Sequence, residues 1–231
     1  MYLPPVAPLL PASLPDSEVD LNAARQSFLA ALKAGDAPSL SASLQALHAS
    51  PVELARLLKE PSGHHRQSAL RGAMANGHEA SVQLLLSAAG VLRKDKAIGV
   101  EDERKLLTEA MSNEALDHPD VFAPWLQALK LAVDGGRMNA REAKQALLPT
   151  SLRYHADIRT WAGDPGKADR LRQWGTLISQ AQATGLITAK EARTVLLGPY
   201  NTTLKTMLER SNKPEALAAY MDAQAIVAAK G

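Results

Sequence analysis

The chain contains no cysteine. That excludes disulfides, thiolate metal sites and a cysteine nucleophile, and it suits a reducing cytosol. Aromatic residues are scarce, at 4% of 231 residues. Runs of β-branched residues are missing, and no stretch alternates apolar and polar side chains for long enough to form a strand. No apolar run approaches the roughly 18 residues of a membrane span, so membrane insertion is not expected. Charge of one sign is also lacking. The 26 basic and 24 acidic residues leave a formal net charge of +2 and are interspersed. A dedicated nucleic-acid binder carries a basic stripe, so nucleic acid is not an expected partner.

What remains is a chain that is 46% apolar and dominated by Ala and Leu, both strong helix formers. An all-α fold follows. The stretch Met1 to Pro15 is apolar, but it has no positive start, and Pro4, Pro5, Pro8, Pro11 and Pro15 would break the helix of a secretory signal. Residues 1–19 are expected to form an extended, Pro-rich leader. Its Pro5-Val-Ala-Pro8 and Pro8-Leu-Leu-Pro11 spacings also fit a polyproline II ligand.

A repeat shows in the punctuation. Leu-Leu recurs at Leu57-Leu58, Leu106-Leu107, Leu147-Leu148 and Leu196-Leu197, at intervals of 49, 41 and 49 residues. Gly136 to Leu148 and Gly185 to Leu197 align without a gap. In each, a glycine able to take positive φ ends a helix. Met138 or Ile187 staples the turn, Asn139 or Thr188 caps the next helix, and Glu142 or Glu191 completes a capping box. Ser50-Pro-Val-Glu53 carries the same opening signal, with Pro51 at the first helical position. A weaker version lies around Ile98-Gly-Val-Glu-Asp102. The string also matches the second half of a calcium loop. However, the first ligand positions would be Leu131 and Val133, or Gln180 and Gln182, and calcium needs carboxylates there.

The segment Ser68-Ala-Leu-Arg-Gly-Ala-Met-Ala-Asn-Gly-His-Glu-Ala-Ser-Val-Gln-Leu-Leu-Leu86 resembles an ankyrin repeat. Ser68, Ala69, Leu70 and Arg71 stand where that family has Thr-Pro-Leu-His. Gly77-His78 stands at the turn, and Val82 to Leu86 in the second helix. The resemblance implies a helix pair with His78 holding the turn. It covers about a tenth of the chain, and the other units depart from it. Their spacing exceeds the roughly 33 residues of ankyrin repeats and comes closer to armadillo repeats. A right-handed stack of helical repeats, an ankyrin-like or armadillo-like α-solenoid, is therefore expected. Residues 20–231 would form one domain: a cap at 20–49, then units at 50–98, 99–139, 140–188 and 189–231. Ala216 to Lys230 would close the stack, with Glu215, Asp222 and Lys230 facing solvent.

Sites are less clear. His64, His65 and His78 lack the two-His helical spacing and the carboxylate of a zinc site, so no metal or other cofactor is expected. The densest polar-aromatic cluster is Arg153, Tyr154, His155, Asp157, Arg159 and Trp161. Tyr, Trp and Arg are the common anchors of protein interfaces, and these residues equally fit a Trp161 packed under a neighbouring unit with solvated arginines. Trp125 and Trp174 read as core. The expected function is protein binding through the repeat surface, using Arg66, Arg71, Arg153, Tyr154, His155, Arg159 and Trp161, by a monomer without catalytic activity. The leader resembles the secretion signals of bacterial effectors, which implies action in the cytosol, either of the producing cell or of a host. The alternative is a hydrolase or transferase with Tyr154, His155 and Asp157 in its site.

Overall fold

The computed structural model describes residues 20–59, 67–147, 168–197, 205–206, 208–210 and 214–229, with side chains of 194–197 left aside. The described residues are helical and contain no strand, as the composition requires. In chain order the α-helices are α1 (Leu21–Ala34), α2 (Ala37–His48), α3 (Pro51–Lys59), α4 (Ala69–Ala75), α5 (Glu79–Lys94) and α6 (Val100–Glu109). After two short 3-10 turns (Glu114–Asp117 and Pro119–Val121) come α7 (Phe122–Asp134), α8 (Ala140–Ala146), α9 (Ala168–Ala183), α10 (Ala189–Leu197) and α11 (Pro214–Ala228).

One turn is built three times. After α5, α7 and α9 the residue with positive φ is Lys96 (61°), Gly136 (65°) and Gly185 (73°). The following amides fold back identically. Ala97 and Ile98 both donate to the Leu92 carbonyl, Arg137 and Met138 to Ala132, and Leu186 and Ile187 to Ala181. This is the Schellman reversal, which satisfies the orphan carbonyls of the helix just ended. Ile98, Met138 and Ile187 are buried under it. The turn at 96 is thus as complete as the others, although a lysine occupies its left-handed position. Aligned on these turns, Leu107 matches Leu147 and Leu196, and Leu106 matches Ala146. The Leu-Leu pair therefore slips by one residue in α6, and the turns themselves lie 40 and 49 residues apart.

The same alignment runs upstream through the long helices. Trp125 of α7 falls on Trp174 of α9, and Phe122 on Leu171; all four side chains are buried. A second kind of reversal joins α1 to α2 at Gly35 and α4 to α5 at Gly77, with φ of 69° and 71°. The amide of Asp36 donates to Ala31, and that of His78 to Ala73. Both glycines also need to be glycine for space. A Cβ on Gly35 would come within 2.7 Å of the His78 ring, and one on Gly77 within 2.6 Å of His118 Nδ1. Asp36 caps α2, its side chain accepting from the Ser39 amide at 3.2 Å.

Helices that hold equivalent places pack on one another, in three rows. α1 touches α4, which touches the 3-10 turn at 114–117. α2 touches α5, α5 touches α7, and α7 touches α9. The third row holds the short helices: α3 touches α6 and α6 touches α8. The apolar side chains between rows form one continuous core. α11 closes this arrangement by packing on α9, and a Cβ on Gly175 would meet the Ala223 Cα at 2.7 Å. Its outer side carries exposed Glu215 and Asp222, as expected, with exposed Ala218, Met221 and Ala225 beside them, and Asp222 is bonded to Arg172. Lys230 lies outside the described residues.

The two equivalent tryptophans differ in one bond. Trp125 Nε1 donates to the Leu107 carbonyl at 2.9 Å, while Trp174 Nε1 is buried with no acceptor among the described residues. An unmade buried hydrogen bond already costs the native state its desolvation penalty. Trp125→Phe is therefore expected to destabilise the fold by about 1 kcal/mol more than Trp174→Phe. Urea unfolding of both variants measures this; equal losses would contradict it.

Candidate interaction surface

The third row is where charge is organised. α6, α8 and α10 each carry a carboxylate at the third helical residue: Asp102, Glu142 and Glu191. Each first serves its own helix. Asp102 accepts from the Gly99 amide at 3.2 Å, Glu142 from Asn139 at 3.0 Å, and Glu191 from Thr188 at 2.8 Å. Asn139 and Thr188 return the bond through their side chains, closing a full capping box. Gly99 has no side chain to do so. The negative charge is also well placed against the positive end of the helix dipole.

Each carboxylate then takes a cation from the helix before it. Lys59 of α3 pairs with Asp102 at 3.3 Å, Arg104 of α6 with Glu142 at 3.2 Å, and Lys144 of α8 with Glu191. Arg104 and Lys144 occupy equivalent positions two residues past the carboxylate. The result is a ladder of ion pairs linking α3, α6, α8 and α10. The Lys144 ammonium, followed by the Thr188 amide, lowers the Glu191 carboxyl to about 2. At the first rung Glu53 does not close a box. It accepts from Arg56 Nε at 2.8 Å, and that bond, with Arg25 nearby, lowers its pKa.

One junction carries an additional charge cluster. Glu103 is buried in α6, 3.3 Å from Arg93 and 3.0 Å from Arg137. Ala143 and Ala192 hold the same place in α8 and α10, and both are buried. Two arginines flanking one buried carboxylate thus mark this junction off from the equivalent ones at Ala143 and Ala192.

Most residues singled out in the sequence fall elsewhere. Arg66, Arg153, Tyr154, His155, Asp157, Arg159 and Trp161 lie outside the described residues, as do His64 and His65. Arg71 lies on α4, half-buried, and its buried Nε has no hydrogen-bond partner among the described residues. His78 begins α5 without a side-chain cap bond, and its ring lies against Gly35. Among the described residues no group of three His, Asp or Glu side chains could hold a metal ion, and no helix is long and apolar enough to cross a membrane. One cavity of about 30 Å³ lies between Leu58, Leu70 and Leu85, and one of about 80 Å³ lies beside the first rung between Lys59, Ser68 and Glu109. Both are far smaller than the pockets that enclose drug-sized ligands.

No known protein family, curated protein or solved structure matches the chain.

The sign of the pH dependence follows from Glu191. Its folded pKa is depressed from the ordinary 4.5 to about 2. Its stabilisation is therefore present above pH 4.5 and is lost as pH falls toward 2. Lys144→Met removes the largest cause of the depression. Between those pH values the variant is expected to lose stability less steeply than the parent, read by thermal unfolding against pH. Parallel curves would contradict the rung.

Proposed function

We propose that this protein is a protein-binding module. Its units form a right-handed ankyrin-like or armadillo-like solenoid that holds a partner protein on the repeat surface. The observation that carries the reading is a contrast within the third row. In α6, α8 and α10 the position that builds the ladder is acidic. The residue before it, exposed in each case, is Glu101, Arg141 and Lys190 in turn. Successive units thus offer water the same geometry with different chemistry, as recognition of a specific extended partner requires. Arg66, Arg71 and the Arg153, Tyr154, His155, Arg159 and Trp161 cluster belong to the same proposal as further contact residues. A monomer acting in a cytosol, that of a host cell if the Pro-rich leader directs secretion as an effector, is the form that the sequence supports.

The test is affinity capture with the intact chain as bait, from lysates of the producing cell and of a candidate host. A protein retained specifically is expected. Its affinity should fall at least tenfold for a variant with Glu101, Arg141 and Lys190 reversed in charge, or with Arg153, Tyr154, His155 and Trp161 replaced by alanine. Both variants would first be checked for native helicity. No specific retention from either lysate would count against the reading.

A further inference from the structure

The long helices α2, α5 and α7 share an outward face without charge. Its positions recur from helix to helix: Ala42, Leu84 and Pro124, then Gln45, Ser87 and Gln127, then Ala49, Val91 and Leu131. Each is exposed or half-buried, Leu131 at 54%. Charge begins at the helix ends, with Lys94 on α5 and Asp134 on α7. Lys130, beside the face, pairs with Asp134. On α9 the same positions hold Gln173, Thr176 and Gln180, so the apolar part of the stripe is confined to the N-terminal side of the stack. α1, which follows residues 1–19, packs on α2. The reversal at Gly35 makes these two helices antiparallel and sets Asp20 beside the Ala49 end of α2.

We propose that the Pro-rich leader, residues 1–19, folds back across this stripe and covers it. The leader itself lies outside the described residues, and the match is one of chemistry and spacing. Met1 to Pro15 carry no charged side chain, like the stripe. In the polyproline II form that the prolines favour, every third side chain shares a face, and each such step advances about 9 Å. Packed helices lie about 8–10 Å apart. One leader face reads Leu3, Val6 and Leu9. Laid across the stripe, it sets one apolar side chain on each of α7, α5 and α2. Residues 10–19 span up to about 30 Å in this form, ample to reach α2 from the start of α1. The tether holds the leader near the stripe at an effective concentration of about millimolar, an advantage that no separate molecule has. The contact needs no partner protein. It places an intramolecular cover on part of the repeat surface.

The lack of cysteine permits a direct test. Ala7→Cys, on another face of the leader, carries a nitroxide in the full-length, isotopically labelled chain. The label is expected to broaden the amide resonances of Val91 and Leu131 and to leave those of Lys190 and Arg193 sharp. Replacing Leu3, Val6 and Leu9 together by serine should abolish the broadening, while Leu10→Ser, on the face of the label, should leave it. Leu131→Asp should weaken it from the other side of the contact. Broadening that is spread evenly over the surface, or that survives the triple substitution, would overturn the proposal. So would broadening that appears only when spin-labelled and isotopically labelled chains are mixed, which would assign the stripe to a second copy. None of these outcomes bears on the binding-module reading, which capture tests separately.

Discussion

The helices α6, α8 and α10 each enter the third row through one backbone constraint. The long helix must end, reverse and begin again within a handful of residues, and the amides and carbonyls freed at both ends must find partners. The Schellman bonds to Leu92, Ala132 and Ala181 satisfy one end. The carboxylates of Asp102, Glu142 and Glu191 satisfy the other. Because the reversal is the same each time, those carboxylates recur at the same place on each short helix. Only then can the cation two residues past one carboxylate, Arg104 or Lys144, meet the next unit's acid. The ladder is a consequence of the turn.

The rungs are individually weak. Their side chains are about a third exposed, and such pairs contribute up to about 1 kcal/mol. The core between the rows supplies most of the stability, through residues such as Trp125, Phe122, Leu85 and Leu58. Charge instead distinguishes one junction from another. The Glu103 cluster does this most sharply, since a wrongly stacked unit would leave a buried carboxylate facing alanine or two arginines without an acid.

Much of this architecture is legible in the sequence. Gly136 and Gly185 mark two turns, and the Asn139–Glu142 and Thr188–Glu191 boxes mark the helices that follow. The turn at Lys96 is obscured because the left-handed position holds a residue that rarely adopts it, and Gly99 supplies only half a box. The Leu-Leu pairs mislead slightly, since burial accepts Ala146 where α6 has Leu106. The link between units is harder to read. Each rung joins residues 38 to 47 positions apart, and nothing local distinguishes Arg104 or Lys144 from a solvated cation. The signal was there in the shared spacing from carboxylate to cation, once the turns rather than the leucines set the alignment. The contrast of Glu101, Arg141 and Lys190 becomes visible by the same step.

The claim on which this account rests is that one carboxylate both caps its own helix and ties that helix to its neighbour. A double-mutant cycle on Arg104 and Glu142 measures the second role apart from the first. Glu142→Gln keeps a side chain able to accept from the Asn139 amide and removes the charge, while Arg104→Met removes the cation and keeps its apolar length. The account predicts a coupling energy of about 0.3–1 kcal/mol in unfolding free energy, shrinking as salt is raised. Strict additivity of the two substitutions at low salt would contradict it.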